Sequence, residues 1–265
     1  METGLKGKNV LVTGSTLGIG NAIAQAFLEE GANVIINGRS KEHVDQVVQF
    51  MQARYPHSEV RGVAADLSTL EGANRLYDEA VNGGKLDVLV NNVGIYGVVP
   101  FTEITDEDWF HIFNVNVMSI VRMSRRALPD MLAANSGKII NIGSEAGIRV
   151  NSDMAHYSTT KSACLGLTKA LAELTKGTRV TVNRILPAAT MTAGVLEYLE
   201  TIAKRDGITM EEAQINYYKH GTDSGSLLQR FLTVEEVAMT VISTAANSGI
   251  NGNNILIDAG VIKHI

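Results

Sequence analysis

The chain has 265 residues, of which 45% are hydrophobic and 19% are charged, as is typical of a globular protein with a sizeable core. Its net charge of −5 gives no broad attraction for nucleic acid or anionic membranes, so neither is expected as a partner. The N-terminus lacks an apolar signal core, no apolar run reaches membrane-spanning length, and Cys164 has no second cysteine to pair with. We therefore expect a cytoplasmic protein.

Short β-branched runs and amphipathic stretches alternate from the N-terminus as far as Pro187. The predicted strands cover residues 9–13, 33–37, 60–65, 86–90, 138–142 and 180–186. The predicted helices cover residues 21–30, 41–54, 70–81, 105–134, with a bend or break near Pro129, and 152–175. This alternation predicts an α/β fold in which a doubly wound, Rossmann-type parallel sheet is covered by helices on both faces. We expect one domain over residues 1–265, with its ligands at the carboxyl edge of the sheet.

The segment 190–230 departs from this rhythm. It contains several glycines, the aromatic residues Tyr198, Tyr217 and Tyr218, and helical stretches near 195–204 and 210–218. It is too long for a simple connection. We interpret it as a helical substrate lid inserted over the carboxyl edge of the sheet.

A glycine-rich turn lies between the first predicted strand and the first predicted helix. Gly14 permits a tight turn, Gly18 lets the backbone approach a pyrophosphate, and Gly20 lets helix and strand pack closely. The spacing is GxxxGxG rather than GxGxxG, and a purely structural turn is the alternative. The flanking strand and helix favour dinucleotide binding, with contacts from Gly14, Ser15, Thr16, Gly18, Ile19 and Gly20.

The choice of cofactor is predicted from the end of the second strand. Asn37-Gly38-Arg39 has no acid for the ribose hydroxyls, and Arg39 suits the additional phosphate of NADP, so NADP(H) is favoured over NAD(H). The alternative is that Arg39 is a solvated loop residue. Asp66, followed by Leu67, is placed to accept from the adenine amino group, or to cap the helix that follows, or both.

Tyr157 and Lys161 are four residues apart on a predicted helix, so they share one face, and Ser144 precedes the tyrosine by thirteen residues. An ammonium beside a phenol favours phenolate and lowers the pKa of the tyrosine. A phenol of lowered pKa suits acid–base chemistry at a carbonyl or carbinol near neutral pH.

Taken in order, these motifs resemble those of the short-chain dehydrogenase/reductase family, and specifically its 3-oxoacyl reductase-like branch, along nearly the whole chain. The matching segments are TGxxxGxG at 13–20, Asp66, the NNAG-like 91–94, Asn116, Ser144, Tyr157 with Lys161, the PG-like 187–188, Thr192, and the DGG-like 258–260.

The resemblance implies that Tyr157 is the general acid in reduction and the general base in oxidation, while Lys161 lowers its pKa and binds the nicotinamide ribose. It implies that Ser144 holds the substrate oxygen and that Asn116 binds a water that continues a proton relay to Lys161. Further cofactor contacts would come from Asn92, Gly94, Pro187 and Thr192. The family also implies a homo-oligomer, a dimer or a tetramer.

Three residues depart from the family pattern by adding bulk: Val93, Ala188 and Ala259. Two candidate substrate contacts lie beside the catalytic residues. Glu145 either meets a polar substrate, pairs with Arg149 or faces water, and His156 either lines the pocket or lies on a helix surface or interface.

The sequence thus predicts an oxidoreductase that transfers a hydride between NADP(H) and a small carbonyl or secondary alcohol substrate, with no metal. The alternative is a dinucleotide-binding regulator or scaffold that has the same fold and no turnover.

Overall fold

The computed structural model describes residues 2–82, 84–220 and 223–263. In this part of the chain, one parallel sheet has the strand order β3-β2-β1-β4-β5-β6-β7. Its strands are β1 (Asn9–Val12), β2 (Asn33–Gly38), β3 (Val60–Ala64), β4 (Val88–Asn91), β5 (Gly137–Ile142), β6 (Val180–Pro187) and β7 (Asn254–Ile257). The predicted Rossmann-type sheet is confirmed, and β7 extends it beyond the strands identified from the sequence.

Helices cover both faces of the sheet. They are α1 (Gly18–Glu29), α2 (Lys41–Arg54), α3 (Leu70–Val81), α4 (Asp106–Asn116), α5 (Met118–Ala133), α6 (Ala155–Glu173), α7 (Ala193–Asp206), α8 (Met210–His220) and α9 (Val234–Ala246). Apolar residues of α1, α2 and α9 form one core against the sheet, and those of α3, α5 and α6 form the core on the other face. Such double coverage explains the uninterrupted apolar runs of the central strands.

The predicted helix over 105–134 is in fact two helices, and the break lies at Val117 rather than at Pro129. Pro129 lies inside α5, where Leu128 and Met131 are buried against the sheet. This packing outweighs the local penalty of a proline in a helix. The break instead follows Asn116, whose side chain bonds the loop after β4.

From β1 the chain continues to β2 on one side of the sheet, and from β4 it continues to β5 on the other side. The strand order therefore reverses between the adjacent strands β1 and β4. In open parallel sheets this switch point is where ligands bind. The turn after β1, the loop after β4 and the turn after β5 all lie at this edge, and they carry the residues singled out from the sequence.

The segment 190–230 contains α7 and α8, close to the two predicted helical stretches. They form a small core of their own around Leu199, Tyr218 and Phe231. The backbone of Ala189 and Met191 bonds that of Leu232, which ties the two ends of the segment together. Residues 221 and 222 of the predicted lid lie outside the described residues.

Candidate active site

The glycine turn has the backbone shape that its sequence predicts. Gly14 and Gly18 have φ of 61° and 57°, a left-handed conformation that side chains disfavour. A Cβ on Gly20 would lie 3.0 Å from the carbonyl carbon of Gly14, so only glycine allows α1 to start this close to the turn. No described side chain caps the first turn of α1. Its amide groups are therefore available to a phosphate, and the turn fits a dinucleotide.

Two buried or half-buried asparagines hold this turn in place. Asn92 Nδ2 donates to the carbonyls of Thr13 and Gly14, each at 3.0 Å. Asn37 Oδ1 accepts from the Gly14 amide at 3.2 Å, and its Nδ2 donates to the carbonyl of Val63 at 3.1 Å. Asn92 was predicted to lie near the cofactor, and the structure shows that its amide braces the turn. The bracing role of Asn37 was not identified from the sequence.

The predicted contacts around the turn differ in what they offer. The Ser15 hydroxyl and amide donate to Val12 and Asn37 within the fold, so both are already used. Thr16 lies against Gly38 at the end of β2. Ile19 packs into the core under α1 with Ala188.

At the adenosine side, Arg39 is exposed immediately after β2, and no acid stands at that strand end. Asp66 Oδ1 accepts from the Ser68 amide at 2.9 Å, and this bond, with the positive charge of Arg39 nearby, lowers the pKa of Asp66. Thr69, not Asp66, is the N-cap of α3. The Leu67 side chain is buried in the core, which leaves only its backbone for a cofactor contact.

The catalytic candidates converge at the carboxyl edge of β4 and β5. Lys161 Nζ lies 5.4 Å from the centre of the Tyr157 ring, as expected for two residues one turn apart on α6. A Cβ on Gly94 would lie 3.4 Å from Lys161 Nζ and 3.5 Å from Asn116 Oδ1, so Gly94 is where the loop after β4 meets both. The Ser144 hydroxyl is near enough to the Tyr157 phenol to lower its pKa.

The side chain of Asn116 makes three hydrogen bonds to protein groups. Its Oδ1 accepts from the Ile95 amide at 2.8 Å, and its Nδ2 donates to the Ile95 carbonyl at 2.9 Å and to Thr160 Oγ1 at 3.0 Å. These bonds fix the loop after β4 against α6. The role of Asn116 in holding a water for Lys161 stays a prediction.

The pKa values at this cluster differ from the expectation. Burial raises the pKa of Tyr157, and the interactions that lower it come from the Ser144 hydroxyl and then from the Arg184 guanidinium. Burial, followed by the charge of Arg184, lowers the pKa of Lys161 to about 8. Lys161 lies beside the ring, one turn along α6 from Tyr157.

Glu145 is partly buried and turns toward Ser144, whose hydroxyl donates to Glu145 Oε2 at 2.7 Å. The Ser144 oxygen in turn accepts from the Ala146 amide at 3.1 Å. Burial raises the pKa of Glu145 to about 7, and the nearby Asp223 contributes to the increase. Arg149, the alternative partner considered for Glu145, forms an ion pair of 2.8 Å with Asp223.

Asp223 links the loop after β5 to the lid segment. Besides Arg149, it accepts from the Tyr217 hydroxyl at 3.1 Å. Its role was not identified from the sequence, because it depends on contacts between residues more than seventy positions apart. Thr192, the N-cap of α7, lies near Gly18, where a Cβ would approach the Thr192 methyl to 3.6 Å. Pro187 ends β6 at the same edge.

His156 is buried rather than on a helix surface. Its ring packs edge-on against Trp109 at 6.1 Å between centroids, and Gly97 is its other close neighbour. Tyr96, which was not singled out from the sequence, packs edge-on against Tyr157 at 6.4 Å between ring centroids. A Cβ on Gly194 of α7 would lie 3.4 Å from the Tyr96 hydroxyl, so this tyrosine lies between Tyr157 and α7.

Of the three departures from the family pattern, Ala259 has the clearest structural consequence. Its φ of 54° is the left-handed conformation that glycine adopts without strain. Its carbonyl accepts from the amides of Leu227 and Leu228 at the end of the lid segment. Val93 lies against Gly14, and Ala188 is buried beneath Leu232 and Val237.

One charged residue of the site was missed altogether. Arg184 lies in the middle of β6 and is 0% exposed. Among the described residues, Nε, Nη1 and Nη2 of Arg184 have no hydrogen-bond partner. Its signal in the sequence is a lone arginine within the otherwise apolar and neutral run 180–187.

A glycine turn at the switch point of a parallel sheet, with an uncapped helix behind it and a Ser–Tyr–Lys cluster beside it, defines an NAD(P)-dependent dehydrogenase/reductase. The family model described as short chain dehydrogenase matches residues 8–202. The chain therefore belongs to the short-chain dehydrogenase/reductase family.

Individual relatives agree with this assignment. The chain is 45% identical over 267 residues to the uncharacterized oxidoreductase YvrD of Bacillus subtilis, covering 100% of both chains. It is 33% identical over 243 residues to D-beta-hydroxybutyrate dehydrogenase of Cupriavidus necator, covering 90% of both. Among solved structures it is similar to L-sorbose reductase of Gluconobacter frateurii complexed with NADPH and L-sorbose, with a TM-score of 0.93, 27% identity and 100% coverage of both chains.

Proposed function

We propose that this enzyme interconverts a carbonyl and a secondary alcohol with NADP(H), and that Tyr157 gives the proton in reduction and takes it in oxidation. The observation that carries the proposal is the convergence of Ser144, Tyr157 and Lys161 at the edge where the glycine turn opens. A non-catalytic dinucleotide-binding protein would need the turn but not this cluster.

Each residue of the site would have a separate role in the reaction. A bound nicotinamide would supply or accept the hydride. The Ser144 and Tyr157 hydroxyls would hold the substrate oxygen, on which negative charge develops during reduction. Tyr157 would then give its proton to that oxygen, and Lys161, whose pKa is about 8, would carry its positive charge at neutral pH and stabilise the phenolate that remains.

The preference for NADP(H) rests on Arg39. It is exposed at the end of β2, no acid competes for the ribose there, and a guanidinium binds a phosphate through two parallel hydrogen bonds. NADPH is the cofactor in the L-sorbose reductase complex, which is similar in fold. Exchanging Arg39→Ala should raise KM for NADPH about tenfold or more and leave that for NADH nearly unchanged. A deficit confined to NADH would contradict the preference.

The substrate would be a small carbonyl or alcohol compound. Glu145 stands beside Ser144 and offers a carboxyl group to a polar substrate. The His156 ring is packed against Trp109. His156 stays a candidate substrate contact on the side where its Nε2 lies near Gly97. The lid would close through α7 and α8, whose shared core lets them move as a unit.

We also propose a cytoplasmic homo-oligomer, a dimer or a tetramer. Phe110 on α4 and Leu174, the C-cap of α6, are 76% and 62% exposed, and burying such side chains favours association. In the described residues, no helix is both long and apolar enough to cross a bilayer. A monomeric mass in light scattering at micromolar concentration would contradict the oligomer.

The decisive experiment is Tyr157→Phe, followed by nicotinamide absorbance with a panel of ketones and alcohols. We expect kcat to fall by about 10²-fold or more, because the proton donor is lost, while nucleotide binding persists. Binding measured by fluorescence titration is the control. Turnover equal to that of the unaltered enzyme would overturn the role of Tyr157, and binding without turnover in both proteins would favour the non-catalytic alternative.

A further inference from the structure

Arg184 is an anomaly on energetic grounds. A fully buried guanidinium is costly unless it is paired and hydrogen-bonded, yet none of its three nitrogens has a partner in the described residues. Arginine keeps its charge even when burial lowers its pKa, as it does here. The protein therefore retains an uncompensated positive charge in its interior.

The chain makes room for this side chain. A Cβ on Gly143, directly before Ser144, would lie 3.0 Å from Arg184 Cζ and closer still to Nε. The guanidinium therefore crosses the end of β5 at Gly143, where a larger residue would have to displace it. On the helix side its electrostatic neighbours are Tyr157, Lys161 and Cys164, all on α6. Arg184 also pairs in register with Asn141, whose side chain bonds Thr168 on α6, so the arginine lies on the face of the sheet that is covered by the helix carrying Tyr157.

The groups around Tyr157 shift its pKa in opposite directions. After burial, which raises the pKa of Tyr157, the Glu145 carboxyl and the Tyr96 phenol also raise it, whereas the Ser144 hydroxyl and Arg184 lower it. The same arginine lowers the pKa of Lys161 and of Cys164, although burial raises the pKa of Cys164 as a whole. Arg184 is thus a positive charge that lowers the pKa of the Tyr157 phenol, although burial keeps that pKa raised overall.

We propose that Arg184 is a positioning residue for proton transfer: its buried, unpaired guanidinium acts with Lys161 to stabilise the phenolate oxygen that exists when Tyr157 has given up its proton. The proton that leaves Tyr157 goes to the substrate oxygen in reduction and returns from the alcohol hydroxyl in oxidation. The proposal rests on the function proposed for Tyr157 and adds a second cation to it.

The test replaces Arg184 by neutral side chains and follows the pH dependence of alcohol oxidation. The probe is the best substrate among 2-butanol, 3-hydroxybutyrate and sorbitol, with NADP⁺ at saturation. In Arg184→Met, the acidic limb of the kcat/KM profile should move to higher pH by about one unit, because the phenolate is harder to form. Arg184→Gln keeps polarity and loses the charge, so its limb should move equally.

A readout without substrate uses the ultraviolet absorbance of phenolate in the NADP⁺ complex, taken as the difference between each protein and its Tyr157→Phe version. It should titrate at higher pH in both Arg184 variants. The matched control is Arg179→Met, which removes an exposed positive charge just before β6 and should move neither the limb nor the titration.

The change in melting temperature distinguishes Arg184 from an ordinary core residue, whose replacement would lower it. Because an unpaired buried charge is removed, Arg184→Met should melt at or above the temperature of the unaltered protein while its turnover at neutral pH falls. A limb and a phenolate titration that stay in place in both neutral variants would overturn the proposal. Full turnover in Tyr157→Phe would instead overturn the function on which it rests.

Discussion

Two buried polar regions lie side by side beneath the site and differ in how they are satisfied. On β4 and β5, Asn91 and Asn141 pair in register, and Asn91 Nδ2 donates to Asn141 Oδ1 at 2.9 Å. Asn141 Nδ2 donates to Thr168 Oγ1 on α6 at 3.0 Å. On the next strand, Arg184 pairs in register with Asn141, yet its guanidinium has no partner in the described residues.

The comparison separates two uses of buried polarity. A satisfied amide pair joins the strands to α6 and contributes to stability, because breaking it would leave buried groups without partners. An unpaired buried charge lowers stability, and we propose that Arg184 is retained because its field acts on Tyr157. We therefore expect substitutions in the Asn91–Asn141 pair to change stability, and substitutions of Lys161 or Arg184 to change proton transfer by Tyr157.

The largest effect is expected from Lys161→Met. Removing this cation should lower kcat by roughly 10²-fold or more, because the phenolate loses its nearest positive neighbour on α6. The melting temperature should not fall, since burial disfavours the charged amine. Steady-state kinetics and a thermal melt on the same preparation check both. A lower melting temperature with unchanged kcat would mean that Lys161 serves stability rather than catalysis.

Asn141→Ala should have the opposite profile. It removes the bonds that Asn91 Nδ2 and Thr168 Oγ1 make to Asn141 in a buried layer, which should lower the free energy of unfolding by about 1–3 kcal/mol, while Asn91 keeps Ser124 and Thr168 keeps the Cys164 carbonyl as partners. Turnover should remain within a few-fold, because Asn141 touches none of the reacting groups. Urea unfolding and kinetics give the comparison, and a large loss of kcat in a protein that unfolds normally would be inconsistent with a structural role.

Glu145→Gln should change the pH dependence of stability. The pKa of Glu145 is raised from 4.5 to about 7, so between these values the folded state binds more protons than the unfolded state. Stability from this residue is therefore present at low pH and falls as pH rises toward about 7. Urea unfolding at about pH 5 and about pH 8 should show a smaller decrease in the glutamine variant; an equal decrease would remove Glu145 as its source.

The smallest effect is expected from Asp45→Ala, which removes an exposed ion pair with Lys41 on α2. Such pairs contribute about 0.3–0.5 kcal/mol in one helix. Urea unfolding should show a change of that size, reduced further by salt, and kinetics should show none. A loss comparable to that of Asn141→Ala would mean that burial does not decide the cost of breaking a polar pair here.

The parts of the site predicted from the sequence are those fixed over short distances along the chain. The turn at Gly14 and Gly18 follows from backbone conformations next to one strand end, and Tyr157 and Lys161 follow from the period of one helix. Their relation to Ser144 and Asn116 came from the resemblance to a family, which the family model confirms at the level of membership.

The remainder depends on contacts between distant segments. The helix break at Val117 arises where Asn116 bonds Ile95, and local sequence pointed to Pro129 instead. Arg149 pairs with Asp223 across the lid segment. Arg184 looked like one residue of a strand, because only the folded chain shows that nothing in the described residues pairs with it.

The claim that the buried charge of Arg184 acts on proton transfer is tested most directly by comparing Asn141→Ala with Arg184→Met. The two residues are neighbours on one face of the sheet. Both the free energy of unfolding and the pH profile of alcohol oxidation are recorded for each. We expect Asn141→Ala to lose stability and keep the acidic limb in place, and Arg184→Met to keep its stability and move that limb to higher pH. If both variants lose stability and neither moves the limb, the buried charge has no part in the chemistry.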